Sequence, residues 1–249
     1  MTRQRLDLAL VRAGLARSRS HAAQLVGAGR VLVDGTVVRR PAHAVEESQR
    51  LEVAPGEDRV SRAGHKLAGA LDALSPLGLE VVGRTVLDAG ASTGGFTEEL
   101  LRRGAALVHA VDVGHDQLVP ELREHPCVRA AEGVNVRHLG PGDLDPVPDL
   151  VVADLSFISL RLVLEPLAAV AARPADLLLL VKPQFEVGRE RLGSGGVVRD
   201  PRARQEAVDA VLAAAAELGW RLRDVRESVL PGPSGNVEYF AWWQLGALS

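Results

Sequence analysis

The chain has 249 residues, 47% hydrophobic and 24% charged, with a net charge of −3; this length fits one large domain, or a small one plus a medium one, with ample material for a core. Its single cysteine, Cys127, excludes an intrachain disulfide and a cysteine-based zinc site, and its histidines show no ligand spacing, so no metal is expected. The longest run without Asp, Glu, Lys or Arg is eleven residues, Tyr239–Ser249, against the roughly 20 of a membrane span, and Asp7 and Arg12 interrupt the start before a secretory apolar stretch develops, so a cytoplasmic protein without membrane contact is expected.

Residues 1–44 hold eight arginines against Asp7 and Asp34, a formal +6 that leaves −9 for residues 45–249. A basic head on an acidic body suggests that the head meets a polyanion. Within the head, Leu6, Leu8, Ala9, Leu10 and Val11 predict a short helix that stops at Gly14. A second helix carries Ala22, Ala23, Leu25 and Val26, capped by Ser18 or Ser20 and ended by Gly27 and Gly29. Arg30–Val38 reads as two strands about the hairpin dipeptide Asp34-Gly35, and Arg50–Ala54 as another short strand. The ordered strings Arg5-Leu6-Asp7, Gly14–Arg19, Ala22-Ala23, Gly29-Arg30-Val31, Val33-Asp34-Gly35 and Arg40-Pro41 resemble the S-four RNA-binding domain. That resemblance implies a second helix and following turn facing RNA phosphates, with Arg5, Arg17, Arg19, Arg30, Arg39 and Arg40 making backbone contacts that position rather than specify.

Pro55–Asp58 reads as a linker, dividing the chain into a head of residues 1–59 and a body of residues 60–249. A helix from about Gly64 carries Leu67, Leu71 and Leu74 at helical spacing. Strand-like runs follow at Thr85–Leu87, Leu107–Val111, Leu150–Ala153 and Leu177–Val181, alternating with helical segments. A helix at about Arg204–Leu218 and strands near Arg221–Glu227 and Val237–Gln244 complete the pattern. The body is therefore expected to be α/β: a doubly wound, mostly parallel sheet of Rossmann-like type behind a small α+β head.

The segment Val86–Phe96, Val-Leu-Asp-Ala-Gly-Ala-Ser-Thr-Gly-Gly-Phe, is a strand running into a glycine-rich turn and a helix. Gly90, Gly94 and Gly95 allow a tight turn and close backbone approach to a nucleotide cofactor. A dinucleotide fingerprint wants glycine where Ser92 stands, and Asp88 would repel a pyrophosphate yet accept from the ammonium and ribose of S-adenosylmethionine. Asp112, ending the next strand, is placed for ribose hydroxyls. Phe96 packs beside the cofactor or in the core, core being the default; Asn135 contacts the adenine side or caps a turn.

Against 27 arginines the chain has two lysines, Lys66 and Lys182. Arginine holds its proton near neutral pH, whereas an amine is able to release one, so these two positions suggest proton-transfer chemistry. Asp154 and Lys182 each close a predicted strand, and strand carboxyl ends border the ligand crevice of an open parallel sheet. They meet there as reactive groups, or as a structural ion pair at the sheet edge. Phe157 and Phe185 stack on a flipped nucleotide or pack, and Trp242 and Trp243 read as structural.

The strings Val60–Leu67, Leu87–Thr97, Ala153–Ser159, Val181–Gly188, Gly195–Val198 and Pro231–Phe240 strongly resemble the TlyA, or hemolysin A, family, whose catalytic domain groups with FtsJ-like ribose 2′-O-methyltransferases. The resemblance covers essentially the whole chain. It implies a Lys-Asp-Lys-Glu tetrad at Lys66, Asp154, Lys182 and Glu238, with S-adenosylmethionine as donor and ribosomal RNA or ribosomal subunits as partner. Lys182 is then the candidate general base or hydroxyl-orienting group, and Lys66 chiefly sets its field and geometry. Family members methylate cytidine ribose in 23S rRNA, some also in 16S rRNA; those with both targets tend to carry terminal extensions, so the end of this chain at Ser249 favours 23S. The family's other name implies a membrane-damaging protein, which would need an amphipathic or membrane-length segment that the sequence does not offer. A non-catalytic RNA-binding module is disfavoured by the intact tetrad and loop.

Overall fold

The computed structural model describes residues 3–54, 60–188 and 191–246, so the expected Pro55–Asp58 linker lies outside the described residues. The chain divides into two compact units, Met1–Asp58 and Arg59–Ser249.

In the first unit, β1 (Arg3–Arg5) leads into α1 (Leu6–Arg12), α2 (Arg19–Gly27), β2 (Val31–Val33), β3 (Thr36–Val37), β4 (Ala44–Glu46) and β5 (Leu51–Val53). Ser18, one of the two expected caps, stands just ahead of α2, and its Oγ accepts from His21 N at 3.2 Å. Asp34 and Gly35 both have positive φ, +50° and +77°, which the tight turn between β2 and β3 requires. Leu6, Leu10, Leu25, Val26, Val31 and Val45 form its core. The β1–β4 pair was not legible in the sequence, since Arg3-Gln4-Arg5 shows no apolar alternation.

The second unit opens with α3 (Arg62–Leu74), N-capped by the Ser61 hydroxyl, and continues through β6 (Thr85–Ala89), α4 (Gly95–Arg102), β7 (Leu107–Asp112), α5 (Pro120–Arg123), β8 (Val128–Glu132), β9 (Leu150–Ala153), α6 (Leu164–Ala169), β10 (Ala175–Val181), α7 (Pro183–Glu186), α8 (Pro201–Glu217), β11 (Arg221–Glu227) and β12 (Tyr239–Leu245). Among the described residues these strands form one seven-stranded sheet in the order β11-β12-β10-β9-β6-β7-β8. Only β12 runs against the rest, antiparallel to both β10 and β11. This is the expected doubly wound, mostly parallel sheet.

Such a sheet needs apolar residues on both faces, and β10 supplies them as a continuous run. Leu177, Leu179 and Val181 pack with Val208, Val211 and Ala215 of α8, while Leu178 and Leu180 pack on the opposite face with Leu67, Leu71 and Leu74 of α3. The same alternation sends Trp243 to the α8 face and Trp242 to the α3 face, so both tryptophans are core residues as expected. Strand β8 escaped the sequence reading because Val128-Arg-Ala-Ala-Glu132 is an edge strand with Arg129 and Ala130 exposed. Helix α8 begins three residues earlier than expected, where Asp200 Oδ1 accepts from Arg202 N at 3.0 Å and Pro201 needs no amide partner. The strand order reverses between β6 and β9: from β6 the chain builds toward β8, and from β9 toward β10. That switch point places the crevice beyond the ends of β6 and β9, near Gly90 and Asp154.

Candidate active site

At the switch point, Gly90 has φ +87°, and a Cβ there would lie 2.8 Å from the Asp154 carbonyl oxygen. Only glycine permits this approach of loop to strand end. The loop amides turn inward: Gly90 N and Ala91 N donate to the Val111 carbonyl at 2.8 and 3.1 Å, and Ser92 N donates to Asp112 Oδ2 at 2.8 Å. Asp112 Oδ1 accepts from Gly114 N at 2.7 Å, so this carboxylate braces both the β6–α4 loop and the loop after β7.

Beside these groups lies a cavity of about 720 Å³, lined by Gly90, Ser92, Asp112, Asn135 and Asp154 among others. Asn135 does cap a turn, its Oδ1 accepting from Arg137 N at 3.0 Å, and it also faces the cavity, so the two readings of this residue coexist. Four expected cofactor residues lie outside the lining. Gly94 is glycine because a side chain would strike Leu122 and Leu118, and Gly95 because one would strike Ser61. Phe96 is buried against Phe240, ring centroids 6.0 Å apart. Asp88 is fully buried, its Oδ2 accepting from Thr97 Oγ1 at 2.6 Å while Oδ1 has no hydrogen-bond partner. Burial, helped by the negative charges of Asp154 and Asp112 and opposed by Thr97, pushes the Asp88 carboxyl up to about 7. Asp88 therefore supports the loop from behind rather than facing the cavity.

The four tetrad residues fall into two ion pairs. Lys182, closing β10, approaches Asp154 Oδ1 to 2.6 Å, but that oxygen receives no aligned hydrogen bond. The aligned bond of the amine goes to Ser156 Oγ at 3.0 Å. Lys66 on α3 meets Glu238 Oε2 at 2.5 Å, with side-chain exposures of 7% and 1%. Helix α7 links the pairs: Lys182 immediately precedes its first turn, and Gln184 Nε2 donates to Glu238 Oε1 at 3.1 Å. Glu238 sits one residue ahead of β12, its carbonyl accepting from Ser228 N at 2.8 Å just past the end of β11.

This architecture is that of a known family. The FtsJ-like methyltransferase family matches residues 59–245, and the S4 domain matches residues 4–51. The chain belongs to the FtsJ-like methyltransferase family. The 16S/23S rRNA (cytidine-2′-O)-methyltransferase TlyA of Mycobacterium tuberculosis is 55% identical over 242 residues, 96% of this chain and 89% of that protein. Hemolysin A of Brachyspira hyodysenteriae is 35% identical over 95% of this chain and 98% of its own length. A solved hemolysin-named structure from Streptococcus thermophilus superposes with a TM-score of 0.77 at 36% identity, covering 99% of this chain and 90% of that one.

Several residues of this FtsJ-like site were not anticipated. Ser156, Gln117, Gln184 and Glu186 have ordinary identities, and only tertiary contact reveals that Ser156 holds Lys182, Gln117 meets Ser92, Gln184 holds Glu238 and Glu186 receives the loop after β9. Phe157 lies at the cavity wall, 93% exposed with φ +63°, its ring 5.4 Å from that of Phe185.

In the S4 unit the six expected RNA contacts separate. Arg5 and Arg19 both reach the buried Asp7, Arg5 through Nη2 at 2.8 Å and Arg19 through Nη2 at 3.4 Å. Asp7 is held down at about 2, chiefly by its hydrogen bond from Arg5. The two guanidiniums keep 48% and 60% side-chain exposure, so Asp7 orients them without hiding them. Arg17 and Arg40 are exposed. Arg30 instead donates from Nε and Nη2 to the Ala54 carbonyl, and Arg39 Nη1 donates to Gly27 O at 3.4 Å, so both also serve the unit's own fold. No metal-holding cluster occurs among the described residues, and no described helix is long and apolar enough to cross a membrane.

Proposed function

We propose that the chain transfers a methyl group from S-adenosylmethionine to a ribose 2′-hydroxyl, that of a cytidine, in ribosomal RNA. One observation carries the reading: the Asp154 that walls a nucleoside-sized cavity is ion-paired with Lys182 at the ends of adjacent strands.

The cavity suits this donor. Its volume falls in the range of small-molecule sites. Asp112, braced by backbone amides, keeps acceptor capacity for ribose hydroxyls, and Asn135 offers its amide nitrogen on the same wall. The amides of Gly90, Ala91 and Ser92, which would cradle a pyrophosphate, are already committed inside the protein. Carboxylates at Asp112 and Asp154 favour a cationic sulfonium compound over a dinucleotide.

When bound, S-adenosylmethionine supplies an electrophilic methyl group. The chain's own task is then to present a hydroxyl oxygen and take or orient its proton. Lys182 Nζ is the group for this, held by Asp154 and Ser156, while the Lys66–Glu238 pair fixes the neighbouring field and, through Gln184, the first turn of α7. Such positioning accounts for a large share of rate acceleration in two-substrate reactions. Phe157 and Phe185 provide aromatic faces for a base turned out of its stack. Arg5, Arg17, Arg19 and Arg40 supply the phosphate contacts of the head, with Arg30 and Arg39 beside them. The S4 unit and the rRNA-methylating relative support ribosomal RNA as substrate.

The test is transfer of labelled methyl from S-adenosylmethionine to purified large and small ribosomal subunits. Incorporation into 23S rRNA at a cytidine ribose is the expected result, with 16S rRNA as a second target to be scored. Absence of incorporation into either subunit overturns the reading.

A further inference from the structure

Helix α7 presents one face to the loop that follows β9, and each residue of that face grips it. Phe185 and Glu186 lie on α7 itself and Lys182 at its extended N-cap position, and all three reach the same loop. Lys182 Nζ donates to Ser156 Oγ at 3.0 Å, and the Phe185 ring lies 5.4 Å from Phe157. Glu186 Oε2 accepts from Ser159 Oγ at 2.6 Å, and its Oε1 accepts from Leu160 N at 2.7 Å.

Glu186 is the costly member of this set. Its side chain is 1% exposed, and its charged neighbour is the half-exposed Arg161, whose Nε lies 3.4 Å from Oε2. Burying a carboxylate is unfavourable unless its oxygens are used, and here both are spent on the loop rather than on α7's own neighbours. The loop needs such a hold. Phe157 adopts φ +63°, a left-handed conformation that a bulky residue keeps only when its surroundings enforce it. The same segment contributes Asp154 through Ser159 to the cavity wall.

We propose that Glu186 is a positioning residue for methyl transfer: it staples the far end of the Asp154–Leu160 loop to α7, so that the cavity wall and Lys182 hold a single geometry. Glu186 touches neither reactant; it acts through Ser159 and Leu160. The inference rests on the methyltransferase reading above.

The experiment compares wild type, Glu186→Ala, Glu186→Gln and Ser159→Ala by steady-state methyl transfer to ribosomal subunits, calorimetric binding of S-adenosylhomocysteine, and thermal unfolding. Glu186→Ala is expected to lower kcat about 20-fold or more, with RNA KM within about three-fold and S-adenosylhomocysteine Kd within about five-fold of wild type, because misplacement rather than lost binding is the defect. Glu186→Gln is expected to recover kcat to within about five-fold, since its amide oxygen still accepts from Leu160 N and its amide nitrogen donates to Ser159 Oγ. An Ala variant with kcat within about three-fold of wild type, or a Gln variant as impaired as Ala, overturns the proposal. Should Glu186→Ala fail to fold, Ser159→Ala decides: a kcat loss of about five-fold at unchanged Tm supports the staple, and unchanged kcat overturns it. Wild-type protein that transfers no methyl overturns the methyltransferase reading together with this inference, whereas active wild type with unaffected variants overturns the inference alone.

Discussion

The two units of this chain treat positive charge in opposite ways. In the S4 unit, guanidiniums stand at the surface, and a single buried carboxylate, Asp7, aims two of them outward. In the methyltransferase unit the chain's two lysines are buried, each against a carboxylate of its own, with Lys66 and Lys182 at 7% and 9% side-chain exposure. A polyanion is met by exposed, permanently charged guanidiniums, which need no exact partner. A hydroxyl that must surrender a proton needs a group able to exchange one, and of the two cation types only a fixed amine screened from water is such a group. Both lysines fall in the methyltransferase unit, which also holds 18 of the 27 arginines, so the buried amines rather than the cations as a class mark that unit's site.

The sharpest way to break this comparison is at Lys182. Replacement by Ala is expected to reduce methyl transfer about 10²- to 10⁴-fold while S-adenosylhomocysteine binding, read by calorimetry, stays near wild type. Near-normal turnover would remove Lys182 from the chemistry. Next comes the partner pair: Glu238→Ala leaves Lys66 buried without its carboxylate and frees Gln184, and is expected to cost about 3–5 kcal/mol of stability in denaturant unfolding. A loss no larger than that of an exposed ion pair would mean that burial does not distinguish the lysines.

A third variant isolates a buried charge that has no cation. The Asp88 carboxyl sits at about 7 in the folded chain against 3.8 in an ordinary peptide. Between those values the native state binds the extra proton, so this group's contribution to stability falls as pH rises from about 4 to 7. Asp88→Asn, which keeps an acceptor for Thr97, is therefore expected to gain on wild type by a few kcal/mol across that window and level off above it. Chemical unfolding at a series of pH values checks this; a constant difference would contradict it.

The smallest effects belong to the head. Arg17→Ala and Arg40→Ala are expected to weaken RNA binding several-fold each and to reduce the slope of log affinity against log salt by about 0.7–0.9 for each phosphate no longer neutralised. Arg30→Ala differs in kind, because its guanidinium closes on Ala54 O; it is expected to destabilise the head by about 1–3 kcal/mol. Equal behaviour of all three in salt titrations and unfolding would erase the distinction between surface and structural arginines.

Much of the fold was legible because it rests on local signals. Leu177–Val181 reads as an interior strand and Asp34-Gly35 as a tight turn, and Asp154 and Lys182 follow their strands where the apolar runs end. The meeting of Asp154 with Lys182 is read from their strand ends and the membership of Lys66 and Glu238 in the tetrad from the family resemblance, whereas the division into two ion pairs comes from the fold. What stayed hidden depends on contacts distant in sequence. Glu238 meets Lys66 across 172 positions, and Ser159 meets Glu186 across 27. Glycines misled in one respect: the pattern showed where side chains are forbidden, but not whether ligand or protein forbids them. Gly90 is crowded at the cavity, while Gly94 and Gly95 are crowded by Leu122 and Ser61.

The central claim, that a buried amine at the end of β10 handles a ribose hydroxyl, is tested most directly by mapping the methyl group. Ribosomal subunits incubated with S-adenosylmethionine and either wild type or Lys182→Arg would be digested to nucleosides and the methylated species identified by mass. The account predicts 2′-O-methylcytidine with wild type and none above background with Lys182→Arg, which keeps the charge but not the releasable proton. A methyl group on the base, or undiminished 2′-O-methylcytidine from the Arg variant, would contradict it.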